Sequence, residues 1–295
     1  MIDPQQRAVP RPRPALMIGG AALISFASTL LGIGGGAFMV PLLAAWAPMR
    51  LKKAVGTSLA VITAVVTVGM VVQVIRAPGD ILWGEAGLLV CGAFAGAPVG
   101  RWLLRILPRQ MFRYVFAVFL VVVAIRMFGL VPAATAIVGD YPHLSEWRTI
   151  AFALMTGFVA GVTSTLFGIG GGMVIVPALM VGYAELSDNF AIARATSLCA
   201  IVPISAWSTF LHWRRDNVRA ALIPKLLPLA VVFAVTGVFA AYWISADFLT
   251  LLFGGLLLMM SIRIATQRVR AYVPGDDEPI ATPTATLKPP GAADD

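Results

Sequence analysis

Two glycine clusters, Gly34–Gly36 and Gly170–Gly172, lie 136 residues apart in matching apolar surroundings: LGIGGGAFMVPLL over residues 31–43 and FGIGGGMVIVPAL over residues 167–179. Glycine inside a helix costs roughly 1 kcal/mol against alanine. Three in a row, used twice, predict two apolar helices broken at equivalent points. Such a break leaves backbone N–H groups unpaired at the start of the following half-helix, where the helix dipole adds roughly half a positive charge and favours anions. Pro41 and Pro177, five residues beyond each cluster, each remove a further helical hydrogen bond and keep the short arm irregular. The competing role for these glycines is close helix packing. Packing motifs space their small residues four apart, as Gly92, Gly96 and Gly100 do, and that reading is preferred for the latter set.

Other polar residues could complete such a site. Thr57-Ser58 and Thr196-Ser197 recur in both halves and offer hydroxyls either to an anion or to a helix N-terminus. Arg194, just before Thr196, supplies either a cation to the site or an interfacial charge. Glu85, a turn into an apolar run, is the candidate carboxylate for proton coupling. His212 is a candidate proton relay or, alternatively, complements a helix dipole at a span end. Ser28-Thr29 and Ser164-Thr165 precede the clusters by a turn and are expected to satisfy carbonyls freed by the breaks.

Enzyme chemistry finds no support in the residues. The chain has no HExxH, no GxSxG, no intramembrane carboxylate pair and no GK[ST] after its glycines. It predicts no enzyme, no metal and no cofactor. Cys91 and Cys199 lie apart in apolar runs and read as small hydrophobes.

The elements that must position these residues are membrane helices. Of the 295 residues, 59% are hydrophobic and only 12% charged, half the share expected of a soluble domain, about 25%. The mean hydropathy is +0.88. The net charge of +8 reads as Lys and Arg at cytoplasmic helix ends, so no nucleic-acid partner is predicted; the expected partners are a small anionic substrate and membrane lipid, with self-association left open. The predicted order is a disordered tail over 1–14, a first membrane repeat over 15–131, a connector over 132–149, a second repeat over 150–265 and a disordered tail over 266–295. Within the first repeat, apolar segments fall at 15–31, 37–46, 54–75, 81–104 and 111–131. Within the second they fall at 150–167, 173–182, 191–213, 220–244 and 248–265. The fold class is all-α, a polytopic membrane protein.

Charge decides how the broken segments run. If each were one ordinary span, the basic groups at 7–13, 50–53, 101–109 and 214–219 would be divided between both membrane faces. If each is a re-entrant hairpin, all of them fall on one side, with Arg263, Arg268 and Arg270. Residues 37–46 span about 15 Å as helix, too short for a core of about 30 Å. The expectation is therefore two repeats, each a glycine-broken hairpin plus three transmembrane helices. Three is odd, so the repeats insert with opposite orientation and their tips converge near the midplane. Non-helical backbone survives there only inside protein or against a water-filled cavity.

The LGIGGGAFMVPLL and FGIGGGMVIVPALM segments, with VGTSLA and ATSLCA after them, resemble the sulfite exporter TauE/SafE family of membrane transporters. The resemblance covers residues 15–265. It implies movement of a sulfur-containing anion, such as sulfite or an organosulfonate, across a bacterial cytoplasmic membrane, without fixing the cargo. The expected function is a secondary transporter working by alternating access, with both termini cytoplasmic. An anion channel on the same scaffold and a non-transporting membrane anchor are the alternatives.

Overall fold

The computed structural model describes residues 14–47, 49, 51–106, 109–128, 138–139, 142, 146–187 and 189–266. The two expected tails and most of the connector lie outside these residues. Eleven α-helices are present among them. The first half contains α1 (Pro14–Leu31), α2 (Gly36–Trp46), α3 (Leu51–Arg76), α4 (Trp83–Ile106) and α5 (Arg109–Met127). The second contains α6 (Trp147–Phe167), α7 (Gly172–Gly182), the short α8 (Ala184–Ser187), α9 (Phe190–Trp213), α10 (Ile223–Ala241) and α11 (Ala246–Thr266). The expected run at 220–244 divides into a 3-10 turn, Ala220–Leu222, and α10. Pro224 enters α10 in its first turn, where its missing N–H is not needed.

Among the described residues six helices are long and apolar enough to cross a membrane: α3, α4, α6, α9, α10 with its preceding turn, and α11. At 21 residues α6 would span on its own. It is nevertheless the long arm of a hairpin, because the chain doubles back after its glycines. A Cβ on Gly182 would strike the Phe152 ring, and one on Gly171 would meet Ala160 at 3.3 Å. Residues further along α7 thus lie beside residues earlier in α6. In the first half, a Cβ on Gly20 would lie 2.8 Å from Leu42, and one on Gly35 would lie 3.0 Å from Ser28. A continuous helix would separate residues 20 and 42 by about 33 Å. Both broken segments are hairpins.

The hairpins enter from opposite ends of the bundle. Helices α3 and α9 run antiparallel, pairing Lys53 with Asp216, Thr63 with Thr209 and Gln73 with Arg194. The C-terminus of α1 ends near the start of α9, where Arg194 and Ser197 reach Thr29 and Gly32. The C-terminus of α6 ends near the finish of α9, where Ser208 and His212 reach Ser164 and Thr165. This is the inverted arrangement that the charge pattern requires.

The halves are interleaved. The long arm α1 packs on α10 and the long arm α6 on α4, while α3 pairs with α9 and α5 with α11. The α4–α6 contact explains the four-residue glycine spacing. Cβ atoms on Gly92, Gly96 and Gly100 would meet the carbonyls of Leu154, Phe158 and Val162 in turn, and those on Gly157 and Gly161 would meet Leu89 and Ala93. Two backbones approach closely along a stripe of small residues, the mode by which apolar helices associate in lipid. A hydrophobic cluster that draws on both halves buries Ile33, Ile62, Val66, Ile169, Met173 and Ile201 around the two breaks, and a second joins α1, α2, α3 and α10.

Candidate anion site

The chain passes each break through left-handed backbone. Gly32, Gly34 and Gly35 have φ of 69°, 79° and 67°, and Gly168, Gly170 and Gly171 have 70°, 83° and 93°. A side chain at any of these would be strained, so the turn itself demands glycine. Gly36 and Gly172 differ. They are the first helical residues of α2 and α7 and are glycine because of what they touch. A Cβ on Gly36 would overlap the Gly168 carbonyl, and one on Gly172 would overlap the Gly32 carbonyl. Gly34 and Gly170 face each other between these contacts, a Cβ on either lying within 3.7 Å of the other's Cα. Each contact has its counterpart 136 residues on, so a local two-fold relates the tips.

Neither short arm has a side-chain cap, since Gly35 and Gly171 occupy the cap positions. The first arm amides to find backbone acceptors are Phe38 and Met39, both on Gly35 O, and Val174 and Ile175, both on Gly171 O. The preceding N–H groups are those that helix geometry leaves unpaired. Gly36, Gly172 and Met173 carry theirs in buried backbone, and Ala37 is half-buried.

Three carbonyls at the breaks are reached from α9. Arg194 Nη1 donates to Thr29 O at 3.3 Å, Ser197 Oγ donates to Gly32 O at 2.8 Å, and His212 Nε2 lies 3.4 Å from Thr165 O. The serine–threonine pairs expected in this role act otherwise. Thr29 Oγ1 donates to Ala234 O on α10 at 2.8 Å, and Ser164 and Thr165 share Ser208. Ser28 Oγ is buried beside Gly35 without a partner among the described residues.

Arg194 is 1% exposed and is the largest fully buried side chain. Its Nη2 donates to Gln73 Oε1 at 2.8 Å, and its guanidinium stands 5.4 Å from the centroid of the Tyr242 ring. Arg76 lies over the same ring at 5.8 Å. Among the described residues no carboxylate is within ion-pair distance of Arg194; Asp80 acts on it only from further off. A buried charge with neutral partners alone is costly. Arg194 is also next to a tip, since a Cβ on Gly32 would lie 2.9 Å from its Cγ. Gly32 in turn carries Gly172, so one arginine stands beside the start of α7. At the matching place in the first half, Gly168 packs on Val55 and Val40, where the second half has Arg194.

The threonine of each Thr-Ser pair is occupied by a turn. Thr57 Oγ1 donates to Lys53 O and accepts from Arg219 N at 2.9 Å, while Thr196 Oγ1 accepts from Leu82 N at 3.0 Å. These bonds hold the segments leading into α10 and α4. Ser58 Oγ is buried and unpartnered among the described residues. Glu85 is 2% exposed at the start of α4. Its Oε1 accepts from Tyr183 OH at 3.2 Å, and its Oε2 has no partner among the described residues. His212 lies in the last turn of α9 against α6. Gln73, Tyr242 and Tyr183 were not singled out from sequence. Gln73 had a signal: it follows Thr57 by 16 residues, as His212 follows Thr196.

Two glycine-broken hairpins of opposite sense, meeting inside a bundle of apolar spans, define a polytopic membrane transporter. The chain belongs to the sulfite exporter TauE/SafE family, whose profile matches residues 2–127 and 153–293. It is 27% identical over 262 residues to a probable membrane transporter protein of Xylella fastidiosa, covering 84% of this chain and 93% of that one. A probable membrane transporter protein of Methanocaldococcus jannaschii is 26% identical over 240 residues, covering 77% and 83%. One from Haemophilus influenzae is 29% identical over 180 residues, covering 56% and 61%. No solved structure matches the chain.

Proposed function

We propose that the protein is a secondary transporter exporting a small sulfur-containing anion, sulfite or an organosulfonate, across the bacterial cytoplasmic membrane with both termini inside. One observation carries this reading: Arg194 is a fully buried cation with only neutral partners at close range, set beside the glycine tip where α7 begins. The anion supplies the missing counter-charge. Gly170, Gly171 and Gly172 present backbone N–H groups to it, and Ser197 fixes the adjoining Gly32 carbonyl. Gly34, Gly35 and Gly36 form the opposing wall, and the Thr57 and Thr196 hydroxyls act through the turns they hold. Because Val55 replaces arginine in the first half, the anion rests on the α7 side rather than midway between the tips.

Alternating access is the mechanism that inverted repeats support, with one bundle rocking against another around a fixed site. Because the halves interleave, the units that move are bundles drawn from both repeats, one holding α1 with α10 and the other α4 with α6. Glu85, held by Tyr183, carries the coupled proton, and His212 serves the opposite end of the path. Flux of radiolabelled sulfite, sulfoacetate, taurine and sulfate into proteoliposomes tests the reading. Saturable flux of a sulfur oxyanion that responds to an imposed proton gradient is expected. Single-channel currents would replace the carrier by a channel, and absence of flux for every anion would leave the anchor role.

A further inference from the structure

At the end of the bundle away from Arg194, a cavity of 260 Å3 opens between the last turns of α4 and α9, lined by Arg101, Leu211, Arg214 and Arg215. Pockets for drug-sized ligands begin at about 300 Å3, so this one suits a single small headgroup. Three arginines line it, one from α4 and two from the turn that follows α9. The nearby turn has one carboxylate, Asp216, and that is engaged by Lys53 at 3.1 Å. Among the described residues no carboxylate lines the cavity. The Arg214 guanidinium is held over the Phe210 ring at 5.8 Å. Two residues before Arg214, His212 Nδ1 is buried and without a partner among the described residues, within electrostatic reach of Arg101 and Arg215. Trp102 and Trp213, beside the arginines in sequence, are 57% and 71% exposed. Exposed tryptophans of this kind mark the level of lipid headgroups.

We infer that this cavity is a second oxyanion site, separate from Arg194, that takes a phosphate or sulfonate group at the membrane surface. Arginine forks match the oxygens of such groups, and basic pockets between helices at this depth hold anionic headgroups. The group comes either from an anionic phospholipid or from a free anion approaching the transport path. The site stands whether or not Arg194 binds substrate.

The test uses the purified full chain in detergent, with two arms. One titrates phosphatidylglycerol against phosphatidylcholine and counts bound lipid by native mass spectrometry. The other titrates inorganic phosphate and sulfite by calorimetry in an Arg194→Gln background, so that the buried arginine does not contribute. Retention in the lipid arm assigns the headgroup, and retention in the second arm assigns the free anion. In whichever arm binds, a triple variant carrying Arg101→Gln, Arg214→Gln and Arg215→Gln is expected to lose about tenfold or more. Leu211→Trp, which fills the cavity and keeps every charge, is expected to lose binding as well. Should the triple variant fail to elute as a folded species, Arg101→Gln and Leu211→Trp decide. Binding in neither arm, equal binding by wild type and the arginine variants, or full binding by Leu211→Trp would overturn the inference.

Discussion

Alanine at Gly36 puts a methyl group onto the Gly168 carbonyl, and alanine at Gly172 puts one onto the Gly32 carbonyl. Neither glycine has a positive φ, so no backbone penalty confuses the result and the substitution isolates the contact between the tips. The tips must part by on the order of 1 Å to admit the methyl, and overpacking of this kind costs about 1–3 kcal/mol. Better helix propensity offsets at most about 1 kcal/mol of it. Gly87 and Gly255 serve as controls, because a Cβ there meets nothing within 4 Å. Alanine at either is expected to be neutral or to stabilise by up to about 1 kcal/mol. The assay is the midpoint of monodisperse elution after heating, read with flux on the same preparations. Gly36→Ala and Gly172→Ala should each lower the midpoint and cut flux at least tenfold while the protein still inserts. Wild-type midpoint and flux in both would refute the claim that the tips work in contact.

Removing the hydroxyl in Thr57→Val or Thr196→Val leaves a turn amide without its acceptor and should cost about 1–3 kcal/mol in thermal midpoint, with the substrate KM unchanged. Glu85→Gln, which keeps shape and loses the titratable group, should leave substrate binding intact and remove the response of flux to a proton gradient; a persisting response excludes this carboxylate as the carrier. Cysteines placed at Lys53 and Ser187 should label from opposite faces of the membrane, and labelling from one face would contradict the inverted insertion. The Lys53–Asp216 pair is 40% and 91% exposed, and its removal should change stability by less than about 1 kcal/mol.

The hairpins were legible in sequence because three consecutive glycines interrupt an apolar helix whatever else they touch, and because counting charges left one topology with all basic segments on one side. The helix ends followed closely: 37–46 became Gly36–Trp46 and 191–213 became Phe190–Trp213. The division of labour among the glycines was not legible. Positive φ falls on Gly32 and Gly168 as well as on the clusters, whereas Gly36 and Gly172 are set by contacts between halves that no local pattern reports. Capping of the broken arms was hidden for the same reason. The nearby hydroxyls of Thr29 and Thr165 bond other helices, and three carbonyls at the breaks are reached from α9, 165 residues away in the case of Arg194 and Thr29. Arg194 shows what a single sequence leaves open. Its position two residues before Thr196 fits a surface charge as well as a buried one, and only packing against Gln73, Tyr242 and Gly32 makes it a fully buried cation.

The role proposed for Arg194 is to hold the transported anion. Equilibrium binding of radiolabelled sulfite and organosulfonates to purified wild type, Arg194→Lys and Arg194→Gln tests it without depending on coupling or direction. A charge-assisted hydrogen bond contributes about 1.5–3 kcal/mol, so Arg194→Gln should weaken binding by about tenfold to a hundredfold, with Arg194→Lys between it and wild type. Wild-type affinity in a correctly inserted Arg194→Gln protein would contradict the account.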